Sequence, residues 1–275
     1  MTIEPEDYIE PNCPLQGCSC GHPHGNDHCS GHIPMDEIIA RSDDLFNQNN
    51  SKELGEHLRF WRAKAQELGD QAGELSMLSE LMGHYRMAGE RERGLAAVRE
   101  GFALMKEMGV SGSVSAGTIL INGATALQAF GFIDEALEHY AEAFRCYGNH
   151  LDPNDWRFAG LLNNMAAAYS GKADFERAKA YYLKALQVLE HCGNLMDSAV
   201  TCVNLAQLEH GQDPDSPEID VFLDRAKDFF DSPEAEFNGY YAHTCLKCAS
   251  TFGFFGRKEY EADLKCRADA LYAAD

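Results

Sequence analysis

The sequence predicts an all-α protein, a right-handed α-α superhelix (a solenoid) of about six helical hairpins. Two observations carry that prediction. Apolar residues recur at intervals of three and four along residues 34–275. A pattern of small and aromatic side chains also returns with a period of 42 residues. Residues 161–186 show the unit most plainly. Leu162, Met165, Ala166 and Tyr169 form one apolar stripe, and Phe175, Ala178, Tyr182, Ala185 and Leu186 form a second. The small polar stretch SGKAD separates them, and Asp174 is placed to cap the second helix. Two short helices joined by a tight turn cannot bury both faces alone, so they must stack on copies of themselves.

The copies follow in order along the chain. Residues 34–69 form a degenerate first copy, with Ala40 lying 42 before Met82. The next spans 77–102, where Leu78, Tyr85, Gly89, Gly94, Val98 and Gly101 hold the register. Residues 119–144 follow, with Leu120, Ala124, Leu127, Gly131, Ala136, Tyr140 and Ala143 each 42 before its partner in 161–186. Cys202-Val203-Asn204-Leu205-Ala206 opens the fifth copy at an offset of 40, ahead of the loop HGQDPDSPE and the helix IDVFLDRAKDFF. The last copy carries Ala249, Phe252, Gly256, Leu264 and Ala268. Small residues are needed where the two backbones of a hairpin come closest, and the aromatic one turn later fills the wider gap to the neighbouring hairpin.

Leu162, Ala166, Tyr169, Ala178, Tyr182 and Ala185, with their counterparts, make the chain resemble the tetratricopeptide repeat. The long period, together with Leu162-Asn163-Asn164-Met165-Ala166, resembles the subtype found in kinesin light chains. The resemblance implies about twelve helices, a concave groove and a non-enzymatic role as a scaffold or adaptor that binds a protein or peptide. In that family the first helix of each hairpin lines the groove. Carried onto this sequence, the groove candidates are Arg86, Asn122, Thr125, Gln128, Asn163, Asn164, Asn204, Gln207, His210, His243 and Lys247. Asn122, Asn164 and Asn204 recur at one repeat position, where amides can bind the main chain of an extended peptide or tie neighbouring hairpins together. The carboxylate clamp of some family members is not expected, because the matching places hold Ser79, Ile121 and Gly160.

Residues 1–33 form a separate tail. Cys13, Cys18, Cys20, His22, His24, His28, Cys29 and His32 place eight metal-ligand side chains among Gly, Pro, Asn and Ser, with almost nothing apolar to build a core. Thiolate and imidazole together suit zinc best, and nickel, copper(I) or iron next. The spacing matches no standard finger, so several sets of four ligands are open. A structural metal is expected, holding the tail as a cap on the first hairpin. The alternative is a metal-handling or redox-sensing accessory protein whose tail is the working part.

The formal charge of −21 repels phosphate backbones and anionic lipid, which argues against nucleic acid or membrane as the main partner. The N-terminus has neither a basic start nor an apolar run, and no segment is long and apolar enough to span a bilayer. The expectation is a cytoplasmic protein whose ten cysteines are thiols or metal ligands. Cys245 and Cys248 form a CxxC inside a helix and read as buried core thiols, as do Cys146, Cys192, Cys202 and Cys266. No phosphate loop, nucleophile motif or HExxH is present, so no catalytic residue is assigned.

Overall fold

A computed structural model describes residues 31–48 and 50–273. Twelve helices and no strands occur among the described residues. They are α1 (Met35–Asn47), α2 (Ser51–Leu68), α3 (Gln71–Met87), α4 (Arg91–Glu107), α5 (Val114–Ala129) and α6 (Ile133–Gly148), then α7 (Trp156–Gly171), α8 (Phe175–His191), α9 (Leu195–Gln212), α10 (Glu218–Phe230), α11 (Gly239–Phe254) and α12 (Lys258–Tyr272). Successive helices pair as hairpins, α1 with α2 through to α11 with α12. By compactness the described residues fall into two units, within 1–151 and 152–275.

The helix ends follow local chemistry. Side chains of Asn50, Asp70, Ser113, Asp155, Asp174, Asn194 and Asn238 each accept a backbone N–H in the first turn of the following helix. Each satisfies a donor that the helix itself cannot. The turns inside the hairpins repeat a left-handed residue: Gly89 at φ 69°, Gly131 at 92°, Ala173 at 58° and Gly256 at 82°. Glycine adopts this backbone without steric cost, and Ala173 holds it at some strain because its hairpin over-determines the turn.

In the first unit the small residues sit where the register places them. Ala124, Ala136, Tyr140 and Ala143 are fully buried, and α5 packs on both α3 and α4. In the second unit Ala166, Ala178, Ala185, Ala206 and Ala249 are equally buried, beside Tyr182, Phe230, Tyr241 and Phe252. The first copy departs from the register: Ala40 is exposed, and Ile38 and Leu45 carry the packing of α1 instead. An end helix has a neighbour on one side only, so the position that must be small elsewhere is unconstrained there.

The cysteines divide. Cys146, Cys202, Cys245 and Cys248 are buried, and desolvation pushes the Cys245 thiol up to about 11 and the Cys202 and Cys248 thiols up to about 12. These four are inert core thiols. Cys192 and Cys266 are exposed, which corrects the expectation that they too are core. Cys192 lies in the turn after α8, and Cys266 is exposed on the last helix, α12.

Candidate functional site

The first helices of successive hairpins pack side by side within each unit: α3 with α5 in the first, α9 with α11 in the second. Polar side chains bridge them. Asn122 Nδ2 donates to Ser79 Oγ at 2.9 Å, tying α5 to α3. Asn163 Nδ2 donates to Thr201 Oγ1 at 2.9 Å, tying α7 to α9, and Thr201 Oγ1 in turn donates to the Asp197 carbonyl at 2.7 Å. Gln207 Nε2 donates to Thr251 Oγ1 at 2.9 Å, tying α9 to α11. Asn122, Asn163 and Gln207 thus each tie neighbouring hairpins together, one of the two compatible roles open to the groove amides. Asn164 is also engaged, while Asn204 is half-buried and keeps its amide unbonded. Their partners Ser79, Thr201 and Thr251 went unassigned from sequence, because Thr201 lies 38 and not 42 residues from Asn163 and so falls outside the repeat register.

Three more candidates meet in the first unit. The Tyr140 hydroxyl donates to Gln128 Oε1 at 2.9 Å and lies 3.1 Å from Thr125 Oγ1. Burial pushes Tyr140 up to about 12, against the pull of the nearby Arg86 guanidinium. The register marked Tyr140 as a packing aromatic. That its hydroxyl reaches between Thr125 and Gln128 depends on the tilt of α6 and has no sequence signal.

Glu80 occupies the repeat position of Asn122, one copy earlier. Desolvation, with Asp43 adding to it, pushes its carboxyl up to about 7. The folded chain thus holds this proton more tightly than the unfolded chain, whose carboxyl titrates near the ordinary 4.5. Ionising Glu80 therefore costs stability; the cost is absent at low pH, grows as pH rises from 4.5 to about 7, and is complete above that. Glu80→Gln is expected to raise the melting temperature near pH 8 and to leave it unchanged near pH 4. Melting curves of the two proteins across that range check it; a variant that melts lower at high pH contradicts the assignment.

In the second unit a cleft of about 440 Å³ opens between α9 and α11, lined by Gln207, His210, Ser250, Thr251, Phe254 and Phe255. His210 stands edge-on to Phe254 and Phe255, with ring centroids 5.2 and 5.3 Å away. Its Nδ1 is buried without a hydrogen-bond partner, and Phe254 is 68% exposed. Gln207 and His210 were expected here from the repeat register. Phe254 and Phe255 were not, although the pair at the end of a first helix was visible in FGFFG. His243 and Lys247 are exposed on the same helix, α11.

Of the tail ligands, Cys13, Cys18, Cys20, His22, His24, His28 and Cys29 lie outside the described residues. His32 is described, and its Nδ1 lies 3.0 Å from Asp70 Oδ1. Asp70 Oδ2 accepts the Ile33 N–H at 3.0 Å, and Asp70 Oδ1 accepts the Gly73 N–H at 3.0 Å. One buried carboxylate thus joins the root of the tail to the start of α3. Among the described residues no three His, Cys, Asp or Glu side chains cluster as a metal site.

Comparison with known proteins agrees with this architecture. The family model for the tetratricopeptide repeat matches residues 158–191, which hold α7 and α8. Among solved structures, a Podosopora anserina protein assigned as a kinesin light chain, with nearly identical TPR-like repeats, aligns at a TM-score of 0.53. It is 15% identical over 73% of this chain and 95% of its own. BtubC (BKLC) from P. vanneervenii aligns at a TM-score of 0.50 with 18% identity, covering 88% of this chain and 92% of its own. Pseudomonas aeruginosa pilF also aligns at 0.50, with 16% identity over 87% of this chain and 92% of its own. At these identities the likeness is one of fold. A search of curated proteins finds no match. No helix is long and apolar enough to cross a membrane among the described residues. With six helical hairpins in sequence order, small residues at their crossings and a match to the tetratricopeptide-repeat family model on the fourth hairpin, the chain has the fold of an all-α, TPR-like helical repeat.

Proposed function

We propose that this chain is a cytoplasmic, non-enzymatic scaffold that holds a segment of another protein against the first helices of its hairpins. The observation that carries the reading is the cleft between α9 and α11. It joins an exposed aromatic, Phe254, to an imidazole nitrogen without a partner and to the Ser250 hydroxyl. Such a mixture of apolar walls and few polar groups suits a peptide side chain that has an apolar body and a polar tip. Affinity purification of the full chain with mass spectrometry is expected to recover a stoichiometric protein partner. Phe254→Ala with His210→Ala is expected to weaken that partner's binding about 10-fold or more, the scale of an interface hot spot. Unchanged affinity in the double variant removes the cleft from the binding surface.

The tail, residues 1–33, is proposed to hold a structural metal, zinc by its ligand chemistry. A carboxylate beside an imidazole favours a metal on its other nitrogen, and Asp70 Oδ1 stands 3.0 Å from His32 Nδ1, close but without hydrogen-bond geometry. Cys13, Cys18, Cys20, His22, His24, His28 and Cys29 would supply the remaining ligands. Metal analysis of protein purified without added zinc decides between readings. Tight stoichiometric zinc fits the structural role, labile or redox-active metal fits metal handling, and no metal removes both.

A further inference from the structure

The dipeptide Asn-Gly occurs twice in the chain, at Asn122-Gly123 and at Asn238-Gly239. It has a chemistry of its own. Glycine has no side chain to shield its nitrogen, so that nitrogen can reach the carbonyl carbon of the preceding asparagine side chain. Closing that ring asks two things of the fold: a glycine N–H free of hydrogen bonds, and an asparagine backbone able to turn toward its own side chain. The two pairs differ in both.

Asn122-Gly123 lies in the middle of α5. Its glycine N–H belongs to the helical ladder, and its asparagine cannot turn without breaking the helix. Gly123 is buried against the Phe102 ring, and the Asn122 amide is bound to Ser79. Asn238-Gly239 stands instead at the start of α11, and both residues are exposed. Asn238 is the N-cap, with an extended backbone at φ −122° and ψ −178°. Turning it disturbs only the first bond of the helix, from the Ala242 N–H to the Asn238 carbonyl at 3.0 Å, at an end that frays. Gly239 is the first helical residue, whose N–H has no acceptor within the helix, and it makes no hydrogen bond among the described residues. Asn238 Oδ1 accepts the Tyr241 N–H at 3.0 Å, and Nδ2 donates to Glu236 Oε2 at 3.4 Å. The bond from Tyr241 leaves the side-chain carbonyl carbon open. It also places a donor on the oxygen where negative charge gathers when that carbon is attacked.

We propose that Asn238 is a self-modification site, which the chain converts without an enzyme to aspartate and isoaspartate. The Gly239 nitrogen bonds to the Asn238 side-chain carbonyl carbon and gives its proton to solvent. The amide carbon–nitrogen bond breaks, and the nitrogen takes a proton from solvent and leaves as ammonia. A five-membered succinimide results, and water opens it at one of its two carbonyl carbons. Opening at the side-chain carbonyl restores the ordinary backbone with a carboxylate in place of the amide. Opening at the main-chain carbonyl routes the backbone through the side chain and lengthens it by one carbon. The products act differently on α11. The carboxylate keeps an acceptor for the Tyr241 N–H and adds negative charge at the positive end of the helix. The lengthened backbone displaces that acceptor, and the first turn loosens. Because α11 also carries Ser250, Thr251 and Phe254 of the cleft, an aged chain and a new one differ on a helix that lines it.

Ageing the full chain in mildly alkaline buffer, followed by peptide mapping with mass spectrometry, tests this. The peptide holding Asn238 is expected to gain one mass unit and to split into aspartate and isoaspartate forms. It should do so at least about 10-fold faster than the peptide holding Asn122, which must wait for α5 to open. In denaturant the two sites are expected to convert at similar rates, since the dipeptide alone then sets the pace. Open space surrounds the position of a Gly239 side chain, so Gly239→Ala should melt as the native chain does. It should also slow conversion at Asn238 several-fold by shielding the nitrogen. Asn238 converting no faster than Asn122 in the folded chain overturns the proposal. So does a denaturant that speeds Asn238 as much as Asn122, which would show that the cap protects the amide. A G239A chain that converts as fast as the native one removes Gly239 as the attacking group and overturns it as well.

Discussion

Phe252→Ala is expected to destabilise the second unit by about 3–5 kcal/mol, the usual cost of emptying a buried aromatic site. Phe252 is fully buried on α11, its ring 6.4 Å from Phe230 of α10 and 4.9 Å from Tyr260 of α12. Tyr241 stands edge-on to Phe230 at 6.2 Å and completes the nest. Polar bonds at its rim hold it shut. The Tyr241 hydroxyl donates to the Phe230 carbonyl at 3.2 Å, Arg267 donates to that hydroxyl at 3.0 Å, and Tyr260 donates to Asp231 at 3.0 Å. The void left by alanine cannot collapse without breaking these bonds. Denaturant unfolding should show the loss, and hydrogen exchange should place it in α10, α11 and α12, since repeats pass stability mainly to their neighbours. Phe254→Ala, two residues on, should change stability by less than about 0.5 kcal/mol because that ring is exposed. Equal effects from the two variants would show that the nest is not what holds the final hairpins.

That contrast marks how far the sequence could be read. Phe252 was legible as core because it shares a register with Gly and Ala one turn away, and a packing register is a property of the chain. Phe254 carries the same residue type with the opposite role, which only the rotation of α11 against α9 decides. The same division runs through the amides. Their recurrence was visible, but whether Asn122 faced a ligand or Ser79 depended on how closely α3 and α5 approach. The first copy failed for a different reason. At the end of an array the rule that a crossing residue must be small is relaxed, so Ala40 kept the spacing without the contact.

Asp70 illustrates the same limit and leads to the second large effect. It lies between the first two copies, where the repeat register assigns it nothing, yet its side chain is 2% exposed and meets His32, the Ile33 N–H and the Gly73 N–H. It accepts the Gly73 N–H as the cap of α3 and the Ile33 N–H from the root of the tail, and His32 stands beside it. Loss of a cap costs about 1 kcal/mol, and a buried donor left without a partner costs about 1–3 kcal/mol more. Asp70→Ala is therefore expected to destabilise the first unit by about 2–4 kcal/mol. Asp70→Asn separates the components: its amide oxygen can still cap α3, but it offers one acceptor where two backbone N–H groups need one each. The asparagine variant should keep most of the stability of α3 while residues 32–33 exchange their amide protons faster and are cut sooner by protease. If both variants unfold alike and the tail root is no more accessible in either, the carboxylate serves α3 alone and the tail is held by something else.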